Sequence, residues 1–150
     1  MESELSKERD KKGEASLIIK KAFHRQIQSE MDVIEMSKQG VTKSSLITLG
    51  RSFGFKLDAL ARMLPVTLRT LQRYSNNQKF NPTVSEHIIQ LARLMVKGAE
   101  VFESGDKFKR WFTTPNVATG GIAPIELVSL QTGTRVVMDE LIRIDYGVFA

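Results

Sequence analysis

The side chains best suited to chemistry lie on a short helix that the sequence predicts after Pro65. In "LDALARMLPVTLRTLQRY", apolar residues recur where two helices would share a core, and Thr67 would cap the second helix. Arginine and glutamine can bind base edges through two hydrogen bonds, while threonine and flanking basic residues can hold phosphates. The candidate DNA-binding residues are therefore Arg62, Thr67, Arg69, Thr70, Gln72, Arg73 and Lys79.

The positive charge of the chain is concentrated in its middle. Residues 15–100 carry thirteen basic and six acidic side chains, whereas 1–14 and 101–150 each carry a net charge of −1. No carboxylate occurs from Ala59 to Ser85. Such a surface attracts polyanions, but a solvated basic face has the same composition, and a pair of helices can also serve only for dimerisation. DNA contact and dimerisation both stay open at this point.

The sequence contains no recognisable catalytic or metal-binding motif. Cysteine is absent, and the two histidines, His24 and His87, are far apart and lack metal-ligand spacing. The stretch "ATGGIAP" lacks the lysine and spacing of a phosphate-binding loop. Asp139 and Glu140 are adjacent, so they point in different directions on a helix. We therefore expect no catalytic residue, no metal and no cofactor, and a binding protein instead of an enzyme.

Helical periodicity organises most of the chain. Residues 1–14 are almost without apolar side chains, so we expect a disordered or loosely helical arm there. From Ser16 apolar residues recur at helical spacing, and Gly40 ends this region. No sustained strand alternation is found. The sequence predicts an all-α protein, with a helical dimerisation and helix-turn-helix domain over 15–97 and a small helical domain over 98–150.

The last third has an unusual order of residues. "FKRWFTTPNVATGGIAPIELV" holds the only tryptophan and an adjacent glycine pair. The pattern predicts an aromatic helix, an extended loop, a helix that starts at Pro124 and a last helix from about Thr132. Phe108, Trp111 and Phe112 would form much of the core of this segment, shared with the helix before it.

This order resembles the toxin-binding domain of the Xre/MbcA/ParS-like antitoxins. The family pattern joins a tryptophan-containing helix, a "P-N" step, a glycine pair, "P-x-x-L", a "T-x-x-G" step and a closing "I-x-Y/H-G". The matching positions are Trp111, Pro115, Asn116, Gly120, Gly121, Pro124, Leu127, Thr132, Ile144, Tyr146 and Gly147. One departure is that Gly133 follows Thr132 directly. Upstream, "GVTKSSLITLGRSFGFKLDALARMLPVTLRTLQRY" resembles the family's Xre-type helix-turn-helix, so the resemblance covers about residues 32–150.

The resemblance implies a bacterial type II antitoxin. The family's usual partner is a RES-domain toxin, which consumes NAD or transfers ADP-ribose from it, and the antitoxin covers this toxin with its tail in or near the NAD pocket. A homodimer that binds its own promoter as an autorepressor is also implied. The residues expected to contact the toxin are Asn116, Arg143, Asp145, Tyr146, Gly147, Val148, Phe149 and Ala150.

Some alternatives stay open. Without the resemblance, Val148 and Phe149 are more simply interpreted as a tail that packs on the core. The chain could also be an interaction protein whose helix-turn-helix only dimerises, or a stand-alone transcription regulator whose C-terminal domain binds another partner. No apolar run is long enough to span a membrane, so we expect a cytoplasmic protein.

Overall fold

The computed structural model describes residues 2–147, which form eight α-helices and two short 3-10 helices. The α-helices are α1 Glu2–Phe23, α2 Glu30–Gln39, α3 Lys43–Ser52, α4 Leu57–Arg62, α5 Leu68–Arg73, α6 Pro82–Phe102, α7 Gly105–Phe112 and α8 Gln131–Asp145. The 3-10 helices are Val117–Thr119 and Pro124–Glu126. Over these residues the only β-type pairing is two isolated bridges. The predicted all-α class is confirmed.

Helix α6 lies at the centre of the fold. It begins with Pro82 in its first turn, and the Asn81 side chain accepts a hydrogen bond from the amide of Val84 at 2.9 Å. Helices α1, α2, α7 and α8 all pack against α6. Because α6 continues to Phe102, it crosses the expected boundary between residues 97 and 98 without a break. The N-terminal and C-terminal modules therefore share one helix. Its fully buried apolar residues are Ile88, Ile89, Leu91, Ala92, Leu94 and Met95.

The N-terminal segment is helical where we expected a disordered or loosely helical arm. Residues 2–14 form the first part of α1. Glutamate and lysine, which are frequent in this segment, have high helix propensity. The last turns of α1 are packed, with Ile19 and Ala22 buried. Once those turns are formed, extending the helix costs little per residue, whereas a new helix has to be nucleated. Composition alone did not reveal this packed starting point.

A sharp break separates α1 from α2. His24 has a φ of 61°, a left-handed conformation that ends α1. The next helix begins with a capping box, in which the Ser29 hydroxyl accepts from the amide of Asp32 and the Asp32 carboxylate accepts from the amide of Ser29. Arg25 holds the same carboxylate at 3.1 Å. The loop is therefore fixed by local hydrogen bonds.

The C-terminal module contains one element that differs from the expectation. Pro124 begins a single 3-10 turn instead of a helix, and α8 starts at Gln131. Gly133 lies in the first turn of α8, where an added Cβ would overlap the carbonyl of Leu127. Only glycine allows this close approach of α8 to the 3-10 turn. The glycine that directly follows Thr132, which departs from the family pattern, is therefore explained by packing.

Candidate functional site

Helices α4 and α5 form the helix-turn-helix unit. The apolar residues that the two helices and their turn share are buried. They are Leu60 of α4, Leu64 of the turn and Leu71 of α5. The turn carries short-range hydrogen bonds, from the amide of Met63 to the carbonyl of Leu60 at 3.1 Å and from the amide of Leu64 to the carbonyl of Ala61 at 3.3 Å. These bonds extend α4 in a tight 3-10 manner, so the turn needs no residue with positive φ. This geometry explains why proline is tolerated in the turn.

Most of the predicted contact residues lie on α5 or at its start, whereas Arg62 ends α4 and Lys79 lies between α5 and α6. The Thr67 hydroxyl oxygen accepts from the amide of Thr70 at 3.1 Å and lies 3.0 Å from the Thr70 hydroxyl, so both threonines are used to start the helix. Four of the other predicted residues are exposed, and among residues 2–147 they have no ion pair or side-chain hydrogen bond. They are Arg69, Gln72, Arg73 and Lys79. A set of free cations and amides is well suited to a polyanion.

Arg62 stands apart from this group. Its guanidinium forms an ion pair with the carboxylate of Glu126, which lies in the second 3-10 helix of the C-terminal module. Both side chains are partly exposed, at 59% for Arg62 and 45% for Glu126. A phosphate at this position would have to compete with Glu126. No local pattern predicts this pair, because the two residues are far apart in the chain.

A buried lysine that the sequence reasoning missed holds α5 in place. Lys43 lies at the start of α3 with 8% of its surface exposed, and its Nζ donates to the carbonyl of Tyr74 at 2.8 Å. That carbonyl follows the last turn of α5, where a cation is favourable. The Tyr74 ring stacks on Phe80 at 5.0 Å between centroids. The orientation of α5 is therefore stabilised on its buried side by Lys43 and Phe80, which both lie outside the predicted motif.

The C-terminal module is built on aromatic side chains, as the sequence predicts. Phe108 and Phe112 are fully buried and stack at 5.0 Å between ring centroids. Phe53 meets Phe108 edge to face at 5.9 Å, and Phe55 meets Phe112 at 6.1 Å. Both partner rings belong to the loop between α3 and α4. Trp111 is only partly buried. The cores of the two modules are therefore continuous.

The predicted toxin-contacting residues occupy two places. Asn116 caps the first 3-10 helix, where its Oδ1 accepts from the amide of Thr119 at 3.1 Å. The other described residues are at the end of α8. Asp145 pairs with Lys97 of α6 at 2.8 Å, and Arg143 lies 3.6 Å from the carboxylate of Glu140.

Beyond Asp145, Tyr146 is 79% exposed and Gly147 has a φ of 67°. Val148, Phe149 and Ala150 lie outside the described residues. A groove of about 540 Å³ runs between α1, α6 and α8, and Tyr146 is part of its lining. The end of α8 is thus anchored on α6, while the residue that follows it projects an aromatic ring to the surface.

The module also exposes apolar side chains that the sequence did not single out. Val117 is 95% exposed, Leu130 is 70% exposed and Ile122 is 46% exposed. Val117 begins the first 3-10 helix, Ile122 lies between the two 3-10 helices, and Leu130 directly precedes α8. Exposed apolar groups become evidence for a contact surface only when they form a contiguous patch, so these three are candidates for contact with another protein. Their exposure follows from loop geometry, which has no periodic signal in the sequence.

Within the described part of the chain, no group of histidine and carboxylate side chains could hold a metal ion. His24 is exposed at the end of α1, and His87 is buried on α6 among hydrogen-bond partners. None of the helices from residue 2 to residue 147 is long and apolar enough to cross a membrane.

The two modules correspond to known domain families. Residues 32–93 match the family of the antitoxin Xre-like helix-turn-helix domain. Residues 97–147 match the family of the antitoxin Xre/MbcA/ParS C-terminal toxin-binding domain. The junction between the two matches lies inside α6, the helix that the modules share.

Three curated proteins illustrate the similarity. A protein named Antitoxin Xre from Yersinia enterocolitica (serotype O:8 / biotype 1B) is 33% identical over 81 residues, which are 53% of this chain and 54% of that protein. An Antitoxin Xre from Pseudomonas putida (strain KT2440) is 29% identical over 83 residues, 55% of this chain and 52% of that protein. A Prs ADP-ribosylating antitoxin from Sphingobium sp. (strain YBL2) is 27% identical over 132 residues, 81% of this chain and 83% of that protein. The matches thus span about half the length of the first two relatives.

Proposed function

The chain belongs to the Xre/MbcA/ParS-like antitoxin family, and we propose that it neutralises a RES-domain toxin that consumes NAD or transfers ADP-ribose from it. The observation that carries this proposal is the match of residues 97–147 to a toxin-binding domain. The name of the Sphingobium relative, an ADP-ribosylating antitoxin, supports NAD chemistry in the toxin–antitoxin pair. In this proposal the chain acts as a binding protein without catalytic residues of its own.

The end of α8 is the proposed inhibitory element. The Lys97–Asp145 pair fixes this end on α6, so the residues beyond it would be presented in a defined direction. Tyr146 is already exposed, and the positive φ of Gly147 turns the chain away from the helix axis. Val148 and Phe149 are apolar and would enter the NAD pocket of the toxin. A tail of this kind can fill a pocket without disturbing the helices behind it.

Co-expression with the toxin encoded by the neighbouring reading frame tests this proposal. We expect the two chains to purify together and the complex to have lost the NAD-consuming activity of the toxin. Deletion of residues 145–150 should restore that activity, because it removes the inhibitory element. Asp145→Asn in the full-length chain separates the pair with Lys97 from the tail itself, and it should weaken the inhibition without abolishing it. A deleted chain that still inhibits the toxin would contradict the proposed role of the tail.

We further propose that α5 binds the promoter of the operon, so that the antitoxin acts as an autorepressor. Support comes from Arg69, Gln72 and Arg73, which are exposed and have no partner within residues 2–147, together with the match to a helix-turn-helix domain. A single helix makes few phosphate contacts, so specific binding would need a dimer and two half-sites about 34–36 Å apart.

Exchange of these three residues for alanine separates the candidate functions. If α5 binds DNA, promoter affinity should fall below detection while toxin binding is kept. A control variant with Arg110→Ala and Arg135→Ala removes the same charge elsewhere and should bind as the wild type does. Unchanged promoter binding in the triple variant would contradict the DNA-binding role and favour a helix-turn-helix that only dimerises. Promoter binding by a chain that binds no toxin would favour a stand-alone regulator.

The dimer surface that we propose includes exposed apolar side chains of α1 and α2. Leu17 is 62% exposed, Met31 is 68% exposed and Ile34 is 45% exposed. Burying such groups against a second copy would be favourable by the hydrophobic effect. Sedimentation should therefore report a dimer for the wild type and a monomer for Met31→Glu. Lys38→Glu, on the same helix, serves as a control and should stay dimeric.

A further inference from the structure

Two separate contacts join the end of α4 to the segment between α7 and α8. The first is the ion pair of Arg62 with Glu126. The second passes through His87 of α6, whose ring lies between the carbonyl of Met63 and the carbonyl of Val128. Residues 62 and 63 end the first helix of the helix-turn-helix, and residues 126 and 128 belong to the toxin-binding module. The two proposed binding surfaces are thus connected over a short distance.

The hydrogen bonds of His87 define its arrangement. Its Nε2 is 2.7 Å from the carbonyl oxygen of Val128 and 3.0 Å from that of Met63. Because carbonyl oxygens only accept, Nε2 carries the hydrogen and donates to both. Nδ1 is then left to accept from the side-chain amide of Gln131, at 3.3 Å. His87 is only 4% exposed, so these partners take the place of water at its ring nitrogens. His87 is therefore a fixed bridge between three parts of the chain.

The position of Glu126 determines how accessible Arg62 is to DNA. A guanidinium that binds a phosphate must give up part of its contact with Glu126. Exposed ion pairs are weak, so this competition should lower phosphate affinity by about two- to fivefold and not abolish it. Glu126 is held in place by the 3-10 turn, where its amide donates to the carbonyl of Ala123 at 2.9 Å. A movement of this turn would therefore release Arg62.

The surface next to this turn is suited to a protein partner. Ile122 precedes the 3-10 turn Pro124–Glu126 and Leu130 follows it, and both are exposed apolar residues. A toxin that covers them would contact the segment that carries Glu126 and Val128. Such a partner could contact the exposed Glu126 directly, and it could reach the buried Val128 only through the backbone of this segment.

We infer that the Arg62–Glu126 pair and the His87 bridge couple the DNA-binding helices to the toxin-binding module, with His87 as the positioning residue. This inference rests on the proposed function. By thermodynamic reciprocity, a toxin that changes promoter affinity by some factor has its own affinity changed by the same factor when the promoter is bound. That factor, the ratio of the promoter dissociation constants without and with toxin, is called the coupling factor below.

The first test removes the competing carboxylate. Glu126→Gln should raise the promoter affinity of the toxin-free chain by about two- to fivefold, because Arg62 becomes available. Asp139→Asn removes the same charge from an exposed site on α8 and should have less than half of this effect. In a chain that already carries Arg62→Ala, Glu126→Gln should change nothing. Equal effects of Glu126→Gln and Asp139→Asn, or an effect that persists without Arg62, would overturn this part of the inference.

The second test measures the coupling factor. It should differ from one in the wild type and move towards one in both Glu126→Gln and His87→Leu. His87→Gln keeps a side-chain donor and should restore part of the coupling. A purely structural histidine would lower promoter affinity to the same extent without and with toxin, so the coupling factor would stay unchanged, and that result would overturn the role of His87. If His87→Leu does not fold, Glu126→Gln alone decides. A wild-type chain that binds neither toxin nor promoter would contradict the proposed function, whereas a coupling factor of one with both ligands bound would contradict only the inference.

Discussion

The helix-turn-helix and the C-terminal module present two different kinds of surface on one continuous core. The exposed face of α5 is a set of charged and amide side chains without partners among the described residues. The C-terminal module instead exposes single apolar groups, such as Val117 and Leu130, and its core contains stacked aromatic rings. The first surface suits a partner defined by charge, and the second suits a partner defined by shape. Separate functions can therefore be carried by a chain that is too small for two independent cores.

The largest expected effect tests whether the two modules share one core. Phe108→Ala should lower the free energy of unfolding by about 3–5 kcal/mol, because the ring is fully buried against Phe53, Phe112 and the glycine at position 98. Chemical denaturation followed by circular dichroism should still show a single transition. Trp111→Phe, at a partly buried position, is the milder control. If the C-terminal module unfolded separately at a lower denaturant concentration, the two modules would have independent cores, and the shared core would be contradicted.

A second variant disturbs the C-terminal module through its backbone. Gly133→Ala places a methyl group against the carbonyl of Leu127. The resulting shift of α8 should cost about 1–3 kcal/mol and weaken toxin binding, while promoter binding is less affected. Gly13→Ala, in α1 where an added Cβ has open space, should instead stabilise by up to about 1 kcal/mol. Thermal unfolding and toxin titration of both variants would measure these effects, and a neutral Gly133→Ala would contradict the close packing.

A third variant removes a contact that holds α5 from its buried side. Lys43→Met keeps the length of the side chain but removes the hydrogen bond to the carbonyl of Tyr74. Leaving that carbonyl without its partner should cost about 1–3 kcal/mol, and promoter affinity should fall because α5 loses its fixed position. Toxin binding should be unchanged. If promoter affinity and toxin affinity fell together, the two surfaces would not be separable in the way described.

The smallest expected effect concerns the start of α5. Thr67→Ala removes the cap on the amide of Thr70 and should cost about 1 kcal/mol. Thr67→Ser keeps the cap and should be close to the wild type. Urea denaturation, together with promoter affinity at one salt concentration, measures both. An alanine variant equal in stability to the serine variant would show that the cap contributes nothing here.

Local sequence patterns predict the helix-turn-helix, but they do not predict the long-range contacts that hold it in position. Apolar spacing predicted α4 and α5, and the threonine at position 67 caps α5 as expected. The roles of Lys43 and His87 depend on partners 31 and 24 or 41 residues away in the chain, and no local pattern encodes such contacts. The pairing of Arg62 with Glu126 belongs to the same class.

The C-terminal module shows the same division between local and long-range information. The spacing of Phe108, Trp111 and Phe112 predicts its aromatic core, and the structure buries Phe108 and Phe112 fully but Trp111 only partly. The 3-10 turn at Pro124 was predicted as a helix, because proline is equally compatible with the first turn of either. The order of residues that carries the family resemblance can be recognised from the sequence alone. The position of the exposed apolar groups cannot be recognised in this way, since it follows from the loop conformation.

The most direct test of the account is a titration of the cognate toxin with the variant in which Arg69, Gln72 and Arg73 are alanine, followed by NAD turnover. We predict that turnover falls to zero at the same antitoxin-to-toxin ratio as with the wild type, although the variant no longer binds the promoter. Turnover that continues at excess antitoxin, or that is found with the purified antitoxin alone, would contradict a binding protein with two separate surfaces.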